Sequence, residues 1–319
     1  MTKMKIIDFT HAHISDAHAL ALAHYKEERV CVPILPQING VPDLTDFASN
    51  GLGVAAYDGD KMIGFLCSYK PFDNAFSSTC VKGIFSPMGG NATIPTNRAM
   101  IYAEMYQSAG EKWVSAGAVS HAICLFAHDK EAQEQFYQYG FGLRCVDAIR
   151  PMDLIDCNPC ADYHFIELGA NDYNAVYPLE MMLDAHQRTS PYFMNRPSAT
   201  FEYFKNYYLN DSRYFGVKYK DELCAFLSVT DEGETFIAAG ENYKHICGAF
   251  CTPEHRGKGV YQNLLNFVVA TLRNEGITCI GTDFESFNPA GAGFWLKYFT
   301  AYAHSVVRRI DECILEGGK

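Results

Sequence analysis

Residues His245–Leu265 read HICGAFCTPEHRGKGVYQNLL, and the reading of this stretch decides the fold. Ile246, Cys247, Ala249, Phe250 and Cys251 form an apolar run rich in strand formers, and Thr252-Pro253 stops it because proline cannot donate to a ladder. Arg256-Gly257-Lys258-Gly259 follows, with two glycines that let the backbone turn sharply and approach a ligand closely. The spacing of Val260, Leu264, Leu265, Val268, Val269 and Leu272 predicts a helix beginning just beyond the second glycine. A helix N-terminus aims unpaired amides at an anion, and His255, Arg256 and Lys258 add positive charge, so the natural guest is a phosphate or pyrophosphate. No Gly-Lys-Ser/Thr closes the loop and a third glycine is missing, so it fits neither the P-loop nor the dinucleotide fingerprint. The competing reading is a surface turn with a solvated charge cluster; the strand before it and the helix after it argue against that.

Working outward, 319 residues suit two domains of about 150 residues each. With 48% hydrophobic and 20% charged residues the chain is globular, not disordered. A formal charge of -11 disfavours nucleic acid and anionic membranes and suits a cationic amine. The N-terminus lacks an apolar core of signal-peptide length and no stretch approaches ~18 uncharged apolar residues, so a cytoplasmic location is expected. Of the twelve cysteines, Cys67, Cys124, Cys247 and Cys251 sit inside apolar strands, where a thiol acts as a small hydrophobe. Cys157-Asn-Pro-Cys160 has zinc-like spacing without a second pair, and His11, His13, His18 and His24 lack a helical i, i+4 pairing, so no metal is expected.

Along the chain, Ser15 to Arg29 reads as a helix, Gly51 to Tyr69 as a hairpin around Asp58-Gly59-Asp60, and Lys82 to Ser86 as a strand. A helix with Ile101, Met105 and Trp113, a strand at 122–126, a short helix with Phe136 and a strand at 145–149 follow. The second half repeats the order: a helix over 172–186, a hairpin over 214–229 turning at Lys220-Asp221, a strand over 234–239, the opening stretch, a strand over 278–284, a short helix from Asn288-Pro289, and a last strand over 305–310. These landmarks pair residues 83–87 with 248–253, and they leave Met88-Gly89-Gly90 and a run to Thr96 where the second half has its charged loop.

The charged loop resembles the acyl-CoA pyrophosphate loop of the GCN5-related N-acetyltransferase (GNAT) superfamily, Arg/Gln-x-x-Gly-x-Gly/Ala at a strand-to-helix junction. Arg256 and Gly259 fit, and Tyr261 departs from the final small residue. The resemblance is strong over 163–319 and weak over 1–152. It implies an α/β (α+β) chain of two tandem GNAT domains, each a twisted mixed sheet flanked by helices: a degenerate domain over 1–152, a linker over 153–162 and an acetyl-CoA-binding domain over 163–319. By the family pattern, acetyl-CoA lies between splayed strands. Phe250, Cys251 and Thr252 would meet the pantetheine and thioester, and Arg256, Gly257, Lys258, Gly259, Val260 and Tyr261 the pyrophosphate. In the family's run after the fifth strand, Asn288 and Phe294 match, whereas Trp295 stands where a tyrosine commonly protonates the leaving thiolate; Trp295 then reads as a packing or cofactor-wall residue.

An amine must arrive neutral to attack a thioester, and the thiolate needs a proton. Asp283 and Glu285 are two apart in a strand, hence on one face, and either can act as base; their structural alternative is hydrogen-bonding a loop or pairing with Arg308 or Arg309. Glu241 and the terminal carboxylate at Lys319 are weaker candidates, and Tyr298 and Tyr261 are the nearest phenols for the acid. The function implied is acetyl transfer to a primary amine of a small molecule, the alternative a non-catalytic acyl-CoA sensor or interaction protein; a longer acyl group stays open.

Overall fold

The computed structural model describes residues 4–316. The chain divides into two compact units, Met1–Asp147 with Ala301–Lys319, and Ala148–Thr300. The elements run β1 (Lys5–Asp8), α1 (Ile14–Cys31), α2 (Thr45–Asn50), β2 (Val54–Asp58), β3 (Lys61–Leu66), β4 (Gly83–Ser86), β5 (Asn91–Thr93), α3 (Arg98–Ser115), β6 (Ser120–Phe126), α4 (Lys130–Gln138) and β7 (Gly142–Pro151). They continue with β8 (Tyr163–Glu167), α5 (Tyr173–Gln187), α6 (Phe201–Asn210), β9 (Arg213–Tyr219), β10 (Glu222–Thr230), β11 (Tyr243–Cys251), α7 (Val260–Asn274), β12 (Cys279–Glu285), α8 (Pro289–Tyr298) and β13 (Thr300–Arg309). The fold is mixed α/β, and among the described residues no helix is long and apolar enough to cross a membrane.

In the first unit, β1-β2-β3-β5 make an antiparallel sheet, and β4 runs parallel to β6, which pairs antiparallel with β13. The last strand therefore belongs to this unit, whereas the sequence landmarks leave 301–319 with the second half. The period-2 pattern of β2 and β3 buries both faces. Val54, Ala56 and Ile63 face α3 with Ile101, Met105 and Trp113, while Ala55, Met62 and Phe65 face α1 and α2 with Ala17, Leu44 and Phe47. Trp113 is fully buried and its indole donates to Leu52 O at 3.1 Å; truncating such a side chain costs about 3–5 kcal/mol.

In the second unit the order is β12-β11-β10-β9-β8, with β11 and β12 parallel and the others antiparallel. The hairpin turns at Lys220 and Asp221, both at positive φ. Every apolar position predicted for the helix after the loop is buried in α7, and α7 packs on β8, β9 and β10. On the opposite face, α5 and α6 bring Val176, Leu179, Phe204 and Tyr208 onto Tyr214, Phe226 and Phe250. One expectation changes. Residues 234–239 form no strand, because Gly233 N donates to Ala238 O and Ala238 N to Thr235 O, closing the segment on itself. Residues 153–162 are docked on α7: Asn266 exchanges two hydrogen bonds with the Ile155 backbone, and its amide also donates to Cys157 Sγ while that of Asn263 donates to Cys160 Sγ.

Candidate acyl-CoA cleft

Parallel pairing of β11 with β12 runs from Tyr243 opposite Cys279 to Ile246 opposite Thr282 and ends there, although β11 continues to Cys251 and β12 to Glu285. The two strands part at that point. On its other side β11 stays paired with β10, but the register shifts between Ser228 and Val229, so that Ser228 faces Gly248, Val229 faces Ile246, and Cys247 bulges out. The bulge leaves Cys247 exposed, its Sγ 3.4 Å from the Tyr207 hydroxyl and 3.4 Å from Ser228 Oγ.

At the open end of β11, Thr252 N donates to Cys224 O, and a short 3-10 turn over Pro253–His255 leads into the loop. Gly257 (φ 72°) and Gly259 (φ 80°) both take the left-handed conformation, which a side chain would strain, and Gly259 is the N-cap of α7. The first amides of α7 have no carbonyl partner within their own helix and carry the positive end of its dipole. Arg256 is exposed, with Nε donating to Cys251 O at 2.8 Å and its guanidinium 5.3 Å from the centre of the Phe250 ring, so the charge is aimed without being neutralised. His255 is held by the Tyr163 hydroxyl at 2.9 Å and packs against Tyr219.

A cavity of about 330 Å³ lies at this junction. It brings together nine of the eleven residues expected to hold the cofactor: Phe250, Cys251, Arg256, Gly257, Gly259, Val260, Tyr261, Asn288 and Trp295. Thr252 and Lys258 are not in its lining; the Thr252 amide is turned to β10 and the Lys258 carbonyl accepts from Cys160 Sγ. His255, expected from the charge of the loop, and Phe294, expected from the family run, line it too; Gln262, Gly291, and Leu183 and His186 of α5 also line it and had no sequence motif to reveal them. Trp295 is buried against Phe294 and Tyr261, as a wall. Asn288 opens α8 without capping it; its Oδ1 is buried and has no hydrogen-bond partner among the described residues. A Cβ at Gly291 would come within 2.5 Å of Asn288 Nδ2, so the glycine makes room for that amide. A buried carbonyl oxygen without a donor is costly unless a ligand supplies one, and the amide-rich pantetheine arm of acetyl-CoA fits it.

The acid and base candidates separate. Asp283 Oδ1 lies 2.8 Å from His245 Nε2, and because a carboxylate only accepts, the proton of the neutral ring is on Nε2, leaving Nδ1 to accept from Tyr243 at 2.8 Å. Glu285 is buried and pairs with Arg196 at 2.8 Å, not with Arg308 or Arg309. Tyr298 is outside the lining: its ring packs on Phe294 with the Lys297 ammonium 5.3 Å away. Tyr261 lines the cavity but gives its hydroxyl proton to Phe226 O at 2.9 Å, and burial pushes its pKa well above the usual phenol value. Glu241 is exposed and off the lining, and Lys319 lies outside the described residues. Among the described residues no group of three or more His, Cys, Asp or Glu is placed to hold a metal.

Residues 179–299 match the acetyltransferase (GNAT) family. The matched segment runs from α5 to the end of α8 and contains every residue that lines the cavity. The chain is similar in fold to a GCN5-related N-acetyltransferase from Sphaerobacter thermophilus (12% identity, TM-score 0.59, covering 96% of this chain and 95% of that one). It is also similar to a GNAT-family acetyltransferase from Colwellia psychrerythraea (15% identity, TM-score 0.51, covering 96% and 100%). A third likeness is to a fungal β-N-acetylglucosaminidase with a GCN5-related glucosamine N-acetyltransferase region (12% identity, TM-score 0.53, covering 96% of this chain and 38% of that one). At these identities the likeness is one of fold. Among curated proteins, none matches the chain.

Proposed function

We propose that the second unit is an acetyl-CoA-dependent N-acetyltransferase that acetylates a primary amine of a small molecule, and that the first unit is a degenerate GNAT copy in a tandem arrangement. The observation that carries this reading is the cavity where β11 and β12 part, closed at one end by the Arg256–Gly259 loop and lined by the orphaned oxygen of Asn288. Acetyl-CoA supplies the acyl group already activated as a thioester. In this reading Arg256, His255 and the first amides of α7 hold the pyrophosphate, Asn288 Oδ1 accepts from a pantetheine amide, and Phe294 and Trp295 exclude water. Beyond the bulge lie Asp283, held by His245, Glu285, held by Arg196, and Glu234, whose carboxyl is pushed up by desolvation and then by the like charge of Asp283.

Isothermal titration with acetyl-CoA is expected to find one site per chain with micromolar-range affinity. Arg256→Glu should weaken it by about tenfold or more, because a charge-assisted contact is replaced by a repulsive one. Undiminished binding in that variant would remove the site assignment. A sensor is the second reading, favoured by Trp295 at the usual acid position and by Tyr298 lying off the cavity lining. Thiol release from acetyl-CoA across a panel of primary amines separates the two, since a sensor binds without turnover.

A further inference from the structure

The reaction proposed above needs a group that takes a proton from the incoming ammonium, and the two carboxylates of β12 beyond the splay are each held by a basic side chain. Glu285 is neutralised by Arg196, and Asp283 is committed to His245. A different carboxylate is on α5, beside the residues of that helix that line the cavity and not itself in the lining. Glu180 is one helical turn before Leu183, which itself lines the cavity, so the two share a face of the helix. The helix packs on β10 and on β11, the strand in which Cys247 bulges out.

We infer that Glu180 is the general base of the acetyl transfer. It is half-buried and its Oε1 accepts from the Tyr214 hydroxyl at 3.2 Å, which fixes the rotamer and leaves Oε2 for a substrate N–H. The groups that face it come from every element around it. Asp184 is on α5 itself, Tyr207 on α6, Tyr214 on β9, Cys247 on β11 and Tyr261 on α7. Each of the last four is raised first by burial and is raised further by the Glu180 charge, so the carboxylate is close to the bulge and to the cavity wall together. No cation neutralises it in this set. Its own pKa is pushed up to about 7, chiefly by burial, with the Tyr214 hydrogen bond lowering it and Asp184 raising it. A base poised near the working pH is the most effective kind.

The step balances as follows. Glu180 takes one proton from the ammonium; the freed lone pair forms the C–N bond as the C–S bond breaks; the thiolate sulfur takes the second amine proton; Glu180 releases its proton to solvent. Acetyl-CoA and the protonated amine, with no further reactant, give the amide, free thiol and one proton.

This inference rests on the acetyltransferase reading, and three measurements on the full chain keep the two apart. Acetyl-CoA binding by isothermal titration should be unchanged in Glu180→Gln. With acetyl-CoA and a panel of diamines, amino sugars and amino-acid amides, Glu180→Gln should lose about 10²-fold in kcat, and the fall of kcat/KM below about pH 7 should disappear. Glu285→Gln, as comparator, should change KM and keep that acid limb. The third readout needs no substrate. A carboxyl that titrates higher in the folded chain than its usual 4.5 favours folding when protonated, and that contribution is lost as pH rises through about 7. Gln cannot ionise, so Glu180→Gln should raise Tm by a few degrees at pH 8.5 and by about none at pH 4.5. An equal effect on Tm at both pH values, or an intact acid limb, overturns the assignment of Glu180. Tight binding with no amine acetylated overturns the acetyltransferase reading and Glu180 with it.

Discussion

Each unit contains a strand, a turn and a helix in succession, and the two units treat the space beside that turn in opposite ways. In the first unit β5 pairs with β3, Thr93 opposite Gly64; in the second β11 pairs with β10, Cys251 opposite Ala225. A left-handed N-cap starts the helix in both, Asn97 at φ 57° and Gly259 at φ 80°. Only five positions separate Thr93 from the helix start at Arg98, whereas nine separate Cys251 from Val260, so the first turn has no room for a phosphate loop. Where the second unit has Val260, the first has Arg98, turned inward. Its Nη2 meets Glu27 at 2.8 Å, its Nη1 lies 3.6 Å from Asp129, and its Nε donates to Thr93 Oγ1 at 3.0 Å. His24 lies 3.1 Å from Asp129 and His128 2.7 Å from Glu28, whose carboxyl is pushed up by burial against the pull of His128. Asp129 caps α4 through Ala132 N, whereas Asn288 at the start of α8 keeps its oxygen without a partner among the described residues. The cavity at this place is about 140 Å³, against about 330 Å³ in the second unit. Charges that would meet a ligand in an open cleft are matched to one another in the closed one.

The largest expected effect breaks the closed copy. Arg98→Ala leaves Asp129 and Glu27 facing each other without their cation, and removing one partner of a buried pair costs about 3–5 kcal/mol. Urea unfolding should read that loss, while acetyl-CoA affinity stays within about twofold because the ligand site is in the other unit. A collapse of binding with stability preserved would mean that the polar cluster serves the ligand. Comparable in size on its first member is the mirrored pair Asp129→Ala and Asn288→Ala. The first should cost about 3–5 kcal/mol of stability, because it removes a helix cap together with the buried partner of Arg98 and His24, and leave binding alone. The second should leave stability nearly unchanged and weaken acetyl-CoA by about tenfold, one hydrogen bond to a ligand amide. Equal stability losses in both variants would deny the contrast between a capping and a ligand-facing side chain.

How much of this was legible in the sequence differs between local and non-local features. The hairpins, the α7 stripe and the loop glycines are written in spacing and turn chemistry, and the structure has them. The alignment of the two halves was not. Residues 83–87 carry the same strand-then-proline punctuation as 248–253, but the register puts Asn91-Ala92-Thr93-Ile94-Pro95 in the equivalent place, and Met88-Gly90 precedes that strand. Which of two short strands pairs with a hairpin is a tertiary choice that punctuation does not encode. Glu180 was silent for the same reason. A lone carboxylate between Leu179 and Leu183 looks like any helical glutamate until the fold buries it.

The smallest expected effect sharpens what counts as part of the cleft. Lys258 fits the loop motif and adds charge, yet its side chain is exposed and the residue is not in the cavity lining, while Arg256 two positions earlier is. An exposed charge within a Debye length of a pyrophosphate contributes through screened attraction alone. Lys258→Ala should therefore weaken acetyl-CoA less than about threefold, and the difference should vanish by about 0.5 M salt as the screening length shortens. Arg256→Ala should keep most of its larger effect at that salt, since its guanidinium is fixed by Cys251 O and the Phe250 ring next to the ligand. Titration of both variants at low and high salt tests the distinction. A Lys258 effect as large and as salt-resistant as that of Arg256 would mean that the loop closes around its ligand and carries the lysine inward.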